Sequence, residues 1–210
     1  MTRAGFLFAR TLRWEAPLAG LSVPKAELFA ELAGKRVALV GNARSLAERD
    51  EGADIDRADL VIRINRAPMP STRTHGSRTD WLALATSVSV ADLDRIRPRR
   101  ILWMSHKRKR LSWRVASSPG FYLHPRAEWC ALKDVLAAPP TTGLMMIELL
   151  AASGLAELRL HGFDFFASLS LTGSRRADQV PHDFPAEARF VKALGARDPR
   201  IVHVGAPRVS

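Results

Sequence analysis

Short apolar segments alternate with amphipathic segments along most of the chain. The apolar runs predict strands at residues 36–40, 60–64, 81–85, 101–104, 121–123, 158–161 and 201–204. The amphipathic stretches predict helices at 90–96, 126–136, 143–152 and 185–194, with Gly195 as the stop of the last helix. Strands that alternate with helices favour an α/β fold with a mostly parallel, twisted sheet flanked by helices.

All of these elements lie in residues 34–210, which we expect to form a single domain preceded by an N-terminal extension, residues 1–33. A length of 210 residues suits one domain. In parallel α/β sheets, ligands bind in the loops beyond the carboxyl ends of the strands. The candidate functional residues are therefore those that directly follow predicted strands.

The formal net charge of +11 indicates an anionic partner. Nucleic acid, a phospholipid surface and a phosphorylated or carboxylated substrate all satisfy this condition. The densest basic run, residues 106–110, allows three interpretations: a nucleic-acid contact, a contact with an anionic acceptor or membrane, or a solvated loop.

The N-terminal segment combines arginines with the aromatic residues Phe6, Phe8 and Trp14. Its apolar stretch is too short for a membrane span or a signal peptide, and Arg10 and Arg13 interrupt it. The segment is compatible with an amphipathic helix on an anionic membrane, and equally with a loose tail.

Cys130 is the single cysteine, which excludes an intramolecular disulfide. Its helix-like surroundings predict a buried structural thiol. The low cysteine content fits a reducing compartment, so we expect a cytoplasmic protein.

Two strand exits carry candidate binding residues. Gly41 and Asn42 follow the first strand, where glycine permits a close backbone approach and the amide can donate to a phosphate oxygen. Arg63 and Asn65 end the second strand, and a nucleotide would satisfy their polar groups. The alternatives are an ordinary strand–helix turn at Gly41 and an internal salt bridge from Arg63 to Asp59 or Asp80.

Two further groups lie in the C-terminal half. Thr141 and Thr142 are suitable helix caps, and Gly143 follows at a helix N-terminus, which attracts anions. His182 precedes the last helix, and a histidine, with its ordinary pKa of about 6.5, can accept a proton from an attacking hydroxyl. Glu187 either caps that helix or orients the site. A purely structural cap and a structural histidine are the alternatives.

The order and spacing of these residues resemble the motifs of glycosyltransferase family 29, the eukaryotic-type sialyltransferases. The family's large motif is matched by Gly41-Asn42, Asp59-Leu60-Val61-Ile62-Arg63-Ile64-Asn65 and Gly76-Ser77-Arg78-Thr79. Its small motif is matched by Pro140-Thr141-Thr142-Gly143 and then His161-Gly162-Phe163, and its short C-terminal motif by His182 and Glu187. The resemblance covers about residues 36–187.

The resemblance implies a Rossmann-like, GT-A-like variant of the α/β fold and an inverting sugar transfer. A CMP donor would supply sialic acid or a related acidic sugar such as Kdo to a glycan hydroxyl, with His182 as general base. The residues that would hold CMP are Asn42, Asn65, Thr141, Thr142, Gly143, Arg63 and Glu187. A catalytically silent CMP-binding homologue and a basic nucleic-acid-binding protein are the alternatives.

The chain also departs from the family pattern. Val37 and Leu155 stand where secretory members carry bonded cysteines, and we expect them to pack together. The histidine thought to contact the donor phosphate is missing, and Arg175 or Arg176 is a candidate replacement. The family's membrane anchor is also missing. We therefore expect a cytoplasmic enzyme, peripheral on the inner membrane face, whose acceptor is a glycan such as lipopolysaccharide or capsule.

No metal cofactor is expected. Asp54 and Asp56, like Asp92 and Asp94, have the Asp-x-Asp form that binds divalent cations in many nucleotide-sugar transferases. Neither pair follows a strand, and a CMP donor has a single phosphate that needs less charge neutralisation. Both pairs are interpreted as surface carboxylates.

Overall fold

The computed structural model describes residues 1–165 and 180–204. The strands are β1 Arg36–Val40, β2 Leu60–Ile64, β3 Trp81–Leu84, β4 Arg100–Trp103, β5 Tyr122–Leu123, β6 Glu157–His161 and β7 Ile201–His203. The helices are α1 Arg3–Leu12, α2 Glu15–Ala19, α3 Lys25–Leu32, α4 Gly52–Asp56, α5 Thr72–His75, α6 Val90–Ile96, α7 Trp113–Ala116, α8 Arg126–Leu136, α9 Thr142–Ala151 and α10 Phe184–Arg197. Short 3₁₀ turns cover Arg44–Glu48 and Arg108–Arg110.

The strands form one seven-stranded sheet in the order β5-β4-β3-β2-β1-β6-β7. Every pair of neighbours is parallel, which confirms the predicted α/β fold. The chain moves outward from β1 to β5 and then returns to β6 on the other side of β1. The order of the strands thus reverses between β1 and β6, and such a switch point opens a crevice beyond the strand ends.

The largest core lies on the face of the sheet that α9 covers. Leu39, Ile62 and Leu160 point to this face and pack with α9, whose residues from Thr142 to Leu150 are nearly all buried. A helix that is apolar on all sides is typical of such a central position. Val37 and Leu155, which we expected to pack together, are both buried in this core.

The N-terminal helices belong to a second core on the sheet. Thr2 caps α1 by accepting a hydrogen bond from the Gly5 N–H, and Phe6 is fully buried in this core. Arg10 extends from α1 and donates to the Leu111 carbonyl oxygen at 2.9 Å. The alternative of a loose N-terminal tail is therefore wrong.

Two local predictions are also wrong. Gly195 lies inside α10, which continues to Arg197 because the backbone first leaves the helix at Asp198, the residue before Pro199. A residue before proline disfavours the helical conformation, so the proline and not the glycine ends the helix. Cys130 is exposed, because α8 turns Leu132 and Leu136 toward the core and leaves Cys130 facing solvent.

The two phenylalanines of α1 test whether this helix contributes to stability. Phe6 is 0% exposed and Phe8 is 60% exposed. We expect Phe6→Ala to lower the free energy of unfolding by about 3–5 kcal/mol, because it leaves a cavity. Phe8→Ala should change it by at most about 0.5 kcal/mol. Urea denaturation of both variants measures the difference, and equal small effects would show that α1 does not contribute to the folded core.

Candidate functional site

The loops that follow β1 and β6 meet at the switch point. The Gly41 N–H donates to the His161 carbonyl oxygen at 2.8 Å, and the Ala43 N–H donates to that of Gly162 at 3.2 Å. A Cβ atom on Gly41 would stand 2.4 Å from the Gly162 carbonyl oxygen. No side chain fits at that distance, so this close approach requires glycine.

The first turn of α9 joins the same place. A Cβ atom on Gly143 would lie 2.7 Å from Cε1 of Phe163, so the helix start rests against the residue that follows the β6 turn. Thr141 caps the helix by accepting a hydrogen bond from the Leu144 N–H at 3.1 Å, as its sequence position predicts. The N–H groups of Thr142 and Gly143 meet no acceptor among the described residues. A free helix N-terminus at a switch point is suited to an anion.

His182 is held against the segment that leads into α9. Its Nδ1 lies 2.7 Å from the Pro139 carbonyl oxygen. Because a carbonyl only accepts hydrogen bonds, Nδ1 must carry the hydrogen. In the neutral imidazole, Nε2 then bears the lone pair and can accept a proton. The side chain is half-buried and lies beside Phe184, with ring centroids 5.9 Å apart.

Glu187 binds the same segment two residues further on. Its two carboxylate oxygens accept hydrogen bonds from the backbone N–H and the hydroxyl of Thr141, each at 2.7 Å. Burial raises the pKa of Glu187 to about 7, although the hydrogen bonds from Thr141 act in the opposite direction. Asp183, not Glu187, caps α10 by accepting from the Ala186 N–H. Glu187 therefore connects α10 to the cap of α9, which leaves its oxygens occupied by the protein.

Asn42 and Asn65 stand at neighbouring strand ends. Asn42 is buried, and its amide nitrogen lies 3.3 Å from the Ile64 carbonyl oxygen of the next strand. Asn65 adopts a left-handed backbone conformation with φ of 53°, and its side-chain oxygen accepts from the Ala85 N–H at 3.0 Å. The Asn65 amide nitrogen has no acceptor among the described residues and is available to a ligand. The two asparagines and the start of α9 lie at the carboxyl edge of the sheet.

Arg63 holds the loop before β3. Its guanidinium donates to the carbonyl oxygens of His75, at 2.5 Å, and Arg78, at 2.9 Å, and to the Thr79 hydroxyl. Burial lowers the pKa of Arg63 to about 10. The alternative of a salt bridge to Asp59 or Asp80 is wrong, because this guanidinium bonds to backbone carbonyls. Its bonds give Arg63 a structural role beside the site.

The sequence did not predict a buried hydrogen-bonded pair beneath the site, His161 and Glu51. His161 ends β6, is 0% exposed, and places Nδ1 2.7 Å from a Glu51 carboxylate oxygen. Burial alone would raise the pKa of Glu51, but the hydrogen bond and the charge of His161, helped by Arg49, lower it. The His161 carbonyl oxygen also accepts a hydrogen bond from the Gly41 N–H, so the pair supports the contact between the two loops. The only sequence signal was the position of His161 in the small motif, since its partner is 110 residues away.

The acidic residues of the two Asp-x-Asp pairs form hydrogen bonds or salt bridges with other residues of the protein. Asp56 accepts hydrogen bonds from the N–H groups of Ser77 and Arg78, and Asp54 forms a salt bridge with Arg159. Both carboxylates are part-exposed and are bonded to other groups of the protein. Asp94 lies at the surface, as expected, and pairs with Arg114, whereas Asp92 is part-exposed and pairs with Arg95. Among the described residues, no cluster of His, Cys, Asp and Glu has a metal-binding arrangement. Arg175 and Arg176 lie outside the described residues.

The basic run at 106–110 is not a uniform solvated loop. Arg108 is 2% exposed, pairs with Glu15, and donates to the carbonyl oxygens of Ser105 and His124. Lys107, Lys109 and Arg110 remain exposed. One arginine of the run is thus part of the fold, and the others are available to an anionic partner.

Replacing Gly41 tests the loop contact at the switch point. Gly41→Ala places a methyl group against the Gly162 carbonyl oxygen, a backbone atom that cannot rotate away. We expect a loss of about 1–3 kcal/mol in the free energy of unfolding. Gly154→Ala is the matched control, because a Cβ atom there meets nothing within 4 Å. Denaturant titration measures the free energy of unfolding of both variants. Equal values for the two variants would contradict the close approach of the two loops.

Glu187 makes the stability of the protein depend on pH. Because burial raises its folded-state pKa from the ordinary 4.5 to about 7, the folded protein favours the neutral acid. The resulting stabilisation is present below the unfolded pKa and is lost as pH rises through the folded pKa. Between about pH 5 and about pH 8, the wild type should lose roughly 2 kcal/mol relative to Glu187→Gln, which mimics the neutral acid.

The pH effect is measured by urea denaturation at both pH values. Glu48→Gln, at an exposed position, serves as the matched control and should follow the wild type. Parallel pH curves for the wild type and Glu187→Gln would contradict the account of this carboxyl group.

Comparison with known proteins matches the part of the chain that contains the first motif. Residues 17–116 match the family model for glycosyltransferase family 29 (sialyltransferase). None of the curated protein sequences matches the chain.

Several solved sialyltransferases share the fold. A mammalian sialyltransferase in complex with Gal-beta-1-3GalNAc-ortho-nitrophenol has 17% identity and a TM-score of 0.57, with coverage of 85% of this chain and 77% of that chain. A sialyltransferase from Campylobacter jejuni in complex with the substrate analogue CMP-3FNeuAc has 14% identity and a TM-score of 0.57, with 81% of each chain covered. An alpha-2,3-sialyltransferase from the same organism in apo form has 15% identity and a TM-score of 0.56, over 90% of this chain and 79% of that one.

These structures confirm the predicted fold, and at such identities they show the fold alone. The family-model match includes Gly41, Asn42, Arg63 and Asn65, and the later motifs lie at the same edge of the sheet. Residues 17–116 are therefore similar to glycosyltransferase family 29, the sialyltransferase family, and the chain shares the fold of solved sialyltransferases.

Proposed function

We propose that the protein transfers sialic acid, or a related acidic sugar such as Kdo, from a CMP donor to a hydroxyl group of a glycan acceptor. The observation that supports this most strongly is the meeting of the β1 loop, the β6 loop and the start of α9 at the switch point of the sheet. A crevice there suits a nucleotide. The sialyltransferase structures with the same fold include one with CMP-3FNeuAc and one with a trisaccharide acceptor and CMP.

The proposed donor site uses the polar groups that face this crevice. The N–H groups of Thr142 and Gly143 at the positive end of α9 would hold the single phosphate of CMP. The amide groups of Asn42 and Asn65 would hold the rest of the nucleotide. Arg63 and Glu187, which sequence analysis placed among the binding residues, would act indirectly, because they support the loop before β3 and the cap of α9.

The proposed reaction is a single displacement with His182 as general base. The acceptor oxygen forms a bond to the anomeric carbon while the bond from that carbon to the CMP phosphate oxygen breaks. CMP leaves with the electron pair, and the acceptor proton moves to Nε2 of His182. Because the nucleophile enters opposite the leaving group, the anomeric configuration inverts. The hydrogen bond from Nδ1 to Pro139 supports this role, since it selects the tautomer with a basic Nε2.

We also propose that the reaction needs no metal ion. The charge to be neutralised is that of one phosphate, for which helix N–H groups and the positive charge of the protein are suited. The acidic residues of both Asp-x-Asp pairs are engaged with other protein groups. A glycan of lipopolysaccharide or capsule, reached from the cytoplasmic side of the membrane, is the proposed acceptor.

His182→Ala tests the proposed base. We expect the release of CMP from CMP-sialic acid or CMP-Kdo in the presence of acceptor glycans to fall by about 10²–10⁴-fold, the usual contribution of a general base. CMP binding, measured by calorimetry, should stay close to that of the wild type. His106→Ala is the matched control, since His106 stacks on Trp129 and its replacement should leave the rate unchanged.

Two arms of this assay separate the alternatives. EDTA should leave the wild-type rate unchanged, and a loss of rate with EDTA would contradict metal independence. CMP binding without release from either donor would overturn the enzymatic proposal in favour of a silent homologue. Salt-sensitive oligonucleotide binding without CMP binding would instead indicate a nucleic-acid-binding protein.

A further inference from the structure

The outward face of α1 is apolar apart from Thr11, although it points to solvent. Ala4, Leu7, Phe8 and Leu12 are exposed and recur at the spacing of one helical face, while Phe6 on the opposite side is buried. We call these four residues the outer stripe. Phe8 is 60% exposed and Leu12 is 59% exposed. A helix that is buried on one face and apolar on the other lacks a partner for the second face.

The exposed apolar side chains of the protein are concentrated at this place. The large exposed hydrophobic residues of the described chain are Met1, Leu7, Phe8, Leu12, Trp14, Val90 and Val135. All but Val90 and Val135 belong to residues 1–14. Trp14 follows α1 directly and is 57% exposed. Scattered exposed apolar residues need no explanation, but a cluster along one helix indicates a binding surface.

Basic groups lie beside the outer stripe. Arg3 and Arg13 are exposed on the first helix and its C-cap. The inner side of α1 contacts the segment 107–114. The ring centroids of Phe6 and Trp113 are 5.4 Å apart, and Arg10 donates a hydrogen bond to the Leu111 carbonyl oxygen. This segment adds exposed Lys107, Lys109, Arg110 and Arg114.

The same region has few acidic groups. Neither residues 1–14 nor residues 105–119 contain Asp or Glu. The nearest carboxylates in contact with these segments are engaged, since Glu15 pairs with buried Arg108 and Asp94 pairs with Arg114. The surface thus combines Phe, Leu and Trp side chains with positive charge.

We propose that α1 and the segment 107–114 form a docking surface for an anionic lipid bilayer. The outer stripe and Trp14 would enter the interface between headgroups and acyl chains, and the flanking arginines and lysines would contact anionic headgroups. Charge complementarity selects this occupant, because a neutral apolar partner would not use the basic flanks. No helix in the described part of the chain is long and apolar enough to span a membrane, and surface docking needs none. The docking surface shares no residue with the proposed donor site.

Vesicle flotation tests the proposal with the full chain. The wild type should bind vesicles of phosphatidylglycerol and phosphatidylcholine, bind phosphatidylcholine vesicles much more weakly, and dissociate at high salt. The double substitution F8S/L12S should reduce the partition coefficient by at least about tenfold. K109E/R110E should reduce it to a similar extent, since each basic residue contributes a factor of about five.

The matched controls replace exposed residues of similar chemistry that lie outside the docking surface. Val135→Ser removes an exposed apolar side chain from α8, and Lys192→Glu reverses an exposed charge on α10, so both should bind vesicles like the wild type. Circular dichroism checks that each variant is folded. CMP binding by F8S/L12S should be unchanged. Loss of CMP binding would therefore test the donor-site proposal, and loss of vesicle binding would test the docking-surface proposal.

Four results would overturn the proposal. The first is wild-type binding that does not depend on anionic lipid. The second is vesicle binding by F8S/L12S equal to that of the wild type. The third is a dimer in sedimentation analysis that F8S/L12S converts to monomer, because the outer stripe would then belong to an interface with a second copy. Oligonucleotide binding that F8S/L12S leaves intact while vesicle binding is absent would overturn it likewise.

Discussion

The buried carboxylate of Glu187 is the interaction on which the proposed site depends. It accepts two hydrogen bonds from Thr141, the residue that caps α9, and so connects the last helix to the central one. Hydrogen bonds to a charged group are worth about 1.5–3 kcal/mol each, whereas burying the charge carries a penalty of several kcal/mol. The raised pKa of Glu187, about 7, shows that burial outweighs the hydrogen bonds. His182 and Glu187 thus hold both ends of the segment 139–141.

A second constraint is steric and acts at the switch point of the sheet. Gly41 and Gly143 each approach the turn after β6 so closely that a side chain would collide with Gly162 or Phe163. Because the strand order reverses between β1 and β6, a crevice is expected beyond the strand ends, next to the contact between the two loops. The glycines let backbone, rather than side chains, line the base of that crevice, where a phosphate can approach N–H groups. The buried pair of His161 and Glu51 supports the contact from within the sheet.

Much of the fold could be predicted from the sequence because its signals are local. The buried strands are short apolar runs, and β1 and β2 have the predicted bounds. The cap of α9 was predictable from Thr141, since capping depends on a residue and its neighbours. The predicted stop at Gly195 failed because a glycine is compatible with a helix and the stronger signal was Pro199.

The rest depends on contacts between distant residues. Cys130 is exposed because the direction of α8 is set by packing, which the sequence around the cysteine does not reveal. Arg108 is buried because Glu15, far away in the chain, neutralises it. The role of Glu187 as a link was equally hidden, since its partner Thr141 precedes it by 46 residues. Motif spacing selected the candidate residues, but only the structure shows which of them bond to neighbouring segments of the protein.

The central claim is that the crevice between β1, β6 and α9 is a nucleotide site. It is tested most directly by ¹⁵N–¹H NMR spectra of the assigned protein recorded during titration with CMP and, in parallel, with cytidine. The account predicts the largest shifts at the backbone N–H groups of Thr142 and Gly143 and at the side-chain amides of Asn42 and Asn65. The shifts at Thr142 and Gly143 should require the phosphate and be absent with cytidine. Shifts confined to residues 106–110, or no shifts with saturating CMP, would contradict the account.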